Sequence, residues 1–325
     1  MKISDRSVCP DIERFDQPCV SSSEEMLLFA DIETTGLKKE YCRIYLIGCA
    51  YLDIDGWHIR QWLTESASDE RAVLEAFAGF ASGFGTVVTF NGEGFDLPVI
   101  DFKNRYYGID FDIRGMGSLD IYKEIKPLKK IFALKSLRQK AVEELLGLKR
   151  EDRFDGGRLI PYYYEYEMTG SPETERLLLL HNFEDVLGMI KIMPVLNYTG
   201  IPRGDFEFLG MSFAGTEKFR TEFILNKGVP APLKNGKISV REKILSVDYD
   251  IEDGKVLFPL KGPENYYYLP LEDKVIHKDL AVFVDKKYRQ KAAKENCFLK
   301  VETERLSAVD RSEFKTYAMN AISSY

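Results

Sequence analysis

No CxxC pair occurs in the 325 residues, and the five cysteines (Cys9, Cys19, Cys42, Cys49, Cys297) are odd in number and scattered. A disulfide framework or a zinc knuckle is therefore not expected, and the cysteine usage points to a reducing cytoplasm. No apolar run approaches the roughly 20 residues that a membrane-spanning helix needs, so no membrane association is expected. The opening stretch MKISDRSVCPDIERFDQPCV is charged and has no apolar segment of the kind found in secretory signals. Internal repeats and low-complexity tracts are also missing.

What remains is ordinary for a globular chain. Hydrophobic residues make up 45% and charged residues 30%, enough to build a core, and the length suits about two domains. The formal net charge of −7 does not mark a nucleic-acid binder, but the charge is uneven. Lys123 to Arg150 holds nine Lys/Arg against three Glu, and Asp285 to Lys294 holds five against one Asp. Such patches suit a phosphate backbone and equally suit solvated helix faces.

Residues 1–24 read as a polar, weakly structured lead-in ending in Ser21, Ser22 and Ser23. Three strands follow: LLFADIE (27–33), RIYLIGCAYLDI (43–54) and WHIRQWL (57–63), the last two joined by an Asp55-Gly56 turn. DERAVLEAFAGFA (69–81) puts Val73, Leu74, Phe77 and Phe80 on one helical face. TVVTF (86–90) is a fourth, β-branched strand, followed by a helix over 95–107 that accommodates Pro98 in its first turn. GSLDIYK (117–123) reads as a short fifth strand, and LKSLRQKAVEELLG (134–147) as an amphipathic helix stopped by glycine. A long helix covers 172–193, with Ser171 as N-cap and Pro172 in its first turn. This order predicts an α/β domain over 25–198, a mixed five-stranded sheet flanked by helices. The turn-rich IPRGDFEF and NKGVPAPLKNGK, and the short β-like runs after them, predict a smaller β-rich or α+β domain over 199–325.

The stretch MLLFADIETTGL (26–37) carries the chemistry. Asp31 and Glu33 are separated by one residue on a strand, so they share a face at the end of an apolar run. Asp96 follows the fourth strand in NGEGFDLPVI, and Asp185 lies four residues after His181 on the long helix, on the same helical face. Carboxylates gathered in this way repel one another unless hard divalent cations such as Mg²⁺ or Mn²⁺ offset the charge. Two ions roughly 3.5–4 Å apart activate a water and steady the leaving oxygen of a phosphodiester. A nearby His can serve as general base. Singly, each residue has a plainer reading: Asp96 as an N-cap, Asp185 as a surface residue, His181 as a structural histidine. The functional case rests on their occurring together.

DIETTGL on a strand, TFNGEGFDLPVI after another, and a helix bearing HNFED resemble the three exonuclease motifs of the DEDD (DnaQ-like) superfamily, over roughly residues 24–195. The second motif is similar to that in the proofreading domains of family B DNA polymerases. GGRLIPYYYEYEMTGSPETERLLLLHNFEDV, with LKSLRQKAVEELLG before it, is similar to the YprB-type RNase H-like domains of bacteria. The resemblance implies an RNase H-like fold and a hydrolase that removes nucleotides from the 3′ end of DNA or RNA, single strands included. It makes Asp31, Glu33, Asp96 and Asp185 the ligands of two divalent ions. It sets the backbone of Thr34, Thr35 and Gly36 against a terminal nucleotide, and Leu37 against its base. In one branch of the superfamily a His stands five residues before the last Asp, and in the other a Tyr stands four before it. Here His181 stands four before Asp185, and two roles for it stay open: general base, or a group that orients a ligand or phosphate.

Further candidates are less specific. Asp120 reads as an extra acidic lining residue or as a buried group satisfied by backbone N–H donors. Asn91 and Phe95 flank Asp96, and Asn91 either meets substrate or fixes the turn. Lys135 and Ser136 open the basic helix and are placed to meet phosphates. Tyr162, Tyr163, Tyr164 and Tyr166 fit core packing better than base stacking. In the C-terminal region Tyr266, Tyr267 and Tyr268 lie near Lys286, Lys287 and Arg289, a combination that suits a nucleic-acid strand or a docking partner, while His277 reads as structural. Two other readings of the whole chain stand beside the exonuclease: a binding module that has lost catalysis, and a structure-specific endonuclease.

Overall fold

The computed structural model describes residues 1–10, 26–152, 154 and 156–324. The chain forms two compact units, Met1–Lys126 with Ser136–Leu196, and Pro127–Lys135 with Asn197–Tyr325. The first is built on a six-stranded sheet in the order β1-β4-β3-β2-β5-β6, formed by β1 (Lys2–Val8), β2 (Leu27–Thr34), β3 (Ile44–Asp53), β4 (Gly56–Leu63), β5 (Thr86–Thr89) and β6 (Gly117–Asp120). The pairs β1/β4, β4/β3 and β3/β2 are antiparallel, whereas β2/β5 and β5/β6 are parallel. The mixed sheet is the one expected, with one strand more.

That strand corrects the reading of the N-terminus. Lys2–Val8 pairs residue for residue with Leu63–Trp57. Its side chains, KISDRSV, are mostly exposed, so no apolar alternation betrays it. Part of what holds it is ionic, since the Asp5 carboxylate meets the Arg60 guanidinium. The rest of the lead-in, residues 11–24, lies outside the described residues.

Both faces of the sheet are covered. On one side Leu28, Ala30 and Ile32 of β2, with Ile47, Cys49 and Tyr51 of β3, pack against α1 (Glu70–Ala81) and α2 (Asp96–Tyr107). Glu70 ties these elements together: its buried carboxylate accepts from Ile44 N–H (2.8 Å) and the Tyr107 hydroxyl (2.7 Å), and pairs with Lys103 Nζ (3.0 Å). The chain continues through α3 (Ile121–Ile125), α4 (Gln139–Leu145), α5 (Ile160–Thr169) and α6 (Pro172–Ile192). On the opposite face, Tyr45, Leu46 and Leu63 pack against Tyr163 and Tyr166 of α5 and Leu178 and Leu179 of α6. Alternation along β2 therefore turns Asp31 and Glu33 toward the α6 side.

Two elements are shorter than their sequence patterns. The expected helix over 134–147 begins only at Gln139, because Arg138 keeps an extended backbone (ψ 150°). GSLDIYK divides into strand and helix at Asp120, whose carboxylate accepts from Lys123 N–H as the cap of α3.

The second unit holds α7 (Gly200–Arg203), β7 (Phe206–Phe213), β8 (Lys218–Leu225), β9 (Leu233–Asn235), β10 (Ile238–Arg241), β11 (Ile244–Glu252), β12 (Lys255–Pro259), β13 (Tyr266–Leu269), β14 (Lys274–His277), β15 (Gln290–Lys291), β16 (Phe298–Glu302) and α8 (Arg311–Ser323). Seven of these strands form one antiparallel sheet, and β13–β15 a small second one. α8 packs through aromatic contacts: Phe314 stacks on Phe208 (5.0 Å) and Tyr317 on Phe258 (4.2 Å). Tyr266, Tyr267 and Tyr268 lie half-buried on β13, with Arg289 over the Tyr267 ring. Among the described residues no helix is long and apolar enough to cross a membrane.

Phe77 of α1 is wholly buried, edge-on to Trp62 at 5.8 Å. Phe77→Ala is expected to cost about 3–5 kcal/mol by urea unfolding, as cavity formation in a packed core does. A loss under about 1 kcal/mol would contradict this packing.

Candidate metal centre

The parallel strands β2, β5 and β6 all end at one edge of the sheet, and that is where the acidic residues gather. β2 brings Asp31 and Glu33. β5 runs into a turn and then α2, placing Asp96 at the first residue of that helix. Asn91 in the turn adopts a left-handed backbone (φ 66°), which asparagine tolerates better than most residues. The turn is pinned by Asp120 at the end of β6, which accepts from Asn91 N–H (2.8 Å), Glu93 N–H (3.2 Å) and Lys123 N–H (3.4 Å). Asp120 is thus satisfied by backbone donors, and Asn91 stands in the turn that they hold.

Helix α6 brings His181, Asn182 and Asp185 across the sheet. It approaches closely because Gly48 lies beneath it: a methyl there would stand 1.9 Å from Asn182 Oδ1. Gly48 is the cross-strand partner of Asp31 on one side and of Gln61 on the other. Asn182 uses the space fully, its Nδ2 donating to Asp31 Oδ2 (2.9 Å) while its Oδ1 accepts from Gln61 Nε2 (2.9 Å). The same Gln61 nitrogen reaches Leu179 O (2.9 Å), so helix and strand are joined twice.

His181 is buried, with both ring nitrogens engaged. Nδ1 lies 2.6 Å from Asp152 Oδ2, while Nε2 lies 3.3 Å from Glu33 Oε1 and 3.2 Å from Asp185 Oδ2. Glu33 also receives the Tyr45 hydroxyl at 3.5 Å. Arg150 spans Glu143 and Asp185. Asp96 is buried and receives no hydrogen bond from the described residues.

Burial and mutual repulsion set the proton affinities. Burial, then the charges of Asp185, Asp96 and Glu33, push the Asp31 carboxyl well above the usual range. Glu33 rises to about 7, chiefly from burial and against the pull of His181. Asp96 rises to about 8 through burial and the charges of Glu33, Asp120 and Asp185. Burial alone would lower His181, but Glu33, Asp185 and Asp152 outweigh it and the imidazole is raised. Burial opposes the ionisation of Asp152, yet Phe154 N–H and His181 hold it below the ordinary value. A set of crowded, under-bonded carboxylate oxygens fits a hard divalent cation. Ligand atoms of Glu33, His181 and Asp185 already lie within 4.8 Å of one another.

The other sequence-predicted residues divide. The Thr34 hydroxyl donates to Gly36 O (2.8 Å) and Thr35 Oγ1 accepts from Arg43 N–H (2.9 Å), so both shape the loop, and Leu37 at its tip is 86% exposed. Phe95 is the cap residue of α2 and packs on the core. Ser136 lines a cleft of about 350 Å³ with Arg138, Gln139, Lys140, His181 and Asp185. Lys135 belongs to the second unit. Tyr163 and Tyr166 are core residues, Tyr163 stacking on Tyr45 at 4.3 Å, while Tyr164 is exposed. Sequence reasoning missed Asn182, Asp152 and Arg150. Asn182, three residues before Asp185 on the same helix, was recoverable from spacing. Asp152 and Arg150, in the loop after α4, carry no local signal.

The RNase_H superfamily family model matches residues 28–197. An uncharacterized protein of Bacillus subtilis (strain 168), YprB, is 26% identical over 170 residues, which is 51% of this chain and 40% of the relative. Among solved structures, the family B DNA polymerase of the hyperthermophilic archaeon Pyrobaculum calidifontis aligns over 55% of this chain and 26% of its own, at 17% identity and a TM-score of 0.44. The chain therefore spans less than half the length of either.

Gly48→Ala would displace Asn182 and break its links to Asp31 and Gln61. A loss of about 1–3 kcal/mol is expected in denaturant unfolding, as for other overpacked sites. Stability within about 0.5 kcal/mol of wild type would show that the helix does not sit this close.

Proposed function

The chain belongs to the RNase H superfamily, and from that premise we propose that its first unit is a divalent-metal-dependent nuclease, cleaving DNA or RNA phosphodiesters from the 3′ end. The observation that carries this reading is the gathering of Asp31, Glu33, Asp96 and Asp185 at one sheet edge, with Asp96 buried and lacking a donor. These four carboxylates would hold two ions, Mg²⁺ or Mn²⁺. Bound there, such ions supply a nucleophilic water at neutral pH and neutralise charge on the leaving oxygen.

The chain's own residues supply the rest. Asn182 fixes the orientation of Asp31 through a 2.9 Å hydrogen bond. Arg138, exposed on the wall of the cleft, would offer a guanidinium to a substrate phosphate. The loop at Thr34–Leu37 borders the end of β2, where a terminal nucleotide would rest. His181 presents Nε2 to the carboxylates and either takes a proton there or joins the ligands. One observation favours an inert binding module instead: Arg150 already gives Asp185 a cationic partner.

Two measurements separate these readings. Wild-type protein is expected to degrade labelled single strands only with Mg²⁺ or Mn²⁺, and Asp31→Ala to lose at least about a hundredfold of that rate. Saturating Mn²⁺, at about 100 times its Kd, should stabilise wild type by about 2.7 kcal/mol for each ion bound and leave Asp31→Ala unmoved. Equal cleavage by both proteins would remove the catalytic assignment, and a thermal transition insensitive to Mn²⁺ would favour the inert module.

A further inference from the structure

Nε2 of His181 faces two carboxylate oxygens, at 3.3 Å from Glu33 and 3.2 Å from Asp185. A general base needs its nitrogen directed at a water, whereas Nε2 here is turned toward two groups that would themselves be metal ligands. The same distances match another arrangement. Around an octahedral ion with bonds of about 2.1 Å, neighbouring ligand atoms stand about 3.0 Å apart.

The far side of the ring is equally defined. The Asp152 side chain is wholly buried and accepts from His181 Nδ1 (2.6 Å), Phe154 N–H (2.9 Å) and Lys140 Nζ (3.3 Å). A carboxylate so held keeps a proton on Nδ1, so Nε2 is the ring atom turned toward Glu33 and Asp185. Without an ion, a proton on Nε2 bridges to these oxygens; an entering cation takes that proton's place and makes Nε2 a ligand atom. Histidine ligands are oriented in this way when a carboxylate accepts the second N–H.

Resting on the metal-dependent reading above, we propose that His181 binds one cation directly through Nε2, with Asp152 as the positioning residue that fixes its tautomer. The site then has a nitrogen donor among its carboxylates, and this favours transition ions such as Mn²⁺ over Mg²⁺ relative to an all-oxygen site.

The test uses full-length protein without substrate. Electron spin echo modulation of bound Mn²⁺ is expected to reveal coupling to a directly bonded ¹⁴N in wild type and none in His181→Ala. Calorimetry is expected to give a Mn²⁺ affinity about 10–100-fold weaker in Asp152→Asn, with a smaller change for Mg²⁺. Mn²⁺ bound to the wild type without ¹⁴N coupling overturns the proposal while leaving the carboxylate site standing. Equal losses for Mn²⁺ and Mg²⁺ in Asp152→Asn overturn the positioning role. Failure of wild type to bind Mn²⁺ at all overturns both this inference and the nuclease reading. The wild-type spectrum alone decides the ligand assignment even if the variants fold poorly.

Discussion

Burial and neighbouring negative charge, that of Asp185 included, destabilise the ionised forms of Asp31, Glu33 and Asp96, and much of the surrounding structure serves to contain that repulsion. Negative charge concentrated in a partly dehydrated edge must be met by donors, by protons or by cations. The chain provides few donors of its own. Asn182 serves Asp31, Tyr45 and His181 serve Glu33, and Arg150 and His181 serve Asp185, while Asp96 has none among the described residues. An edge built for stability alone would place amides or hydroxyls there. The deficit is what makes the arrangement read as a site for ions.

Holding the carboxylates in place is a packing problem. Asp31 and Glu33 are fixed by the register of β2 with β3, and Asp185 by the approach of α6. That approach depends on a missing side chain at Gly48, which leaves room for Asn182 to join β2, β4 and α6. Gly188 plays a similar part further along the helix: a methyl there would stand 2.2 Å from Glu143 Oε1, in the group that also holds Arg150. Gly48 thus sets how near α6 comes to the strand that bears the acids, and Gly188 how near it comes to α4 and Arg150.

How much of this was legible in the sequence follows from what each signal requires. Asp31 and Glu33 stood out because alternation on a strand is a short-range rule, and the five apolar-patterned strands and α6 were visible for the same reason. β1 was not, because a polar edge strand such as KISDRSV leaves no pattern of burial. The start of α4 was set by the local backbone at Arg138 rather than by amphipathicity. Asp120 illustrates an acidic residue whose position suggested the site but whose oxygens are used by backbone N–H groups. Asp152 is 29 residues from its partner His181, and only the fold brings them together.

The central claim is that the four carboxylates hold two divalent ions. Anomalous diffraction from crystals soaked with Mn²⁺ and a nucleoside monophosphate tests it most directly. The account predicts two peaks, both in contact with Asp31, with Glu33, Asp96 and Asp185 completing the ligands and the nucleotide phosphate beside them. Diffraction without any peak at this edge, with Arg150 still paired to Asp185, would contradict it.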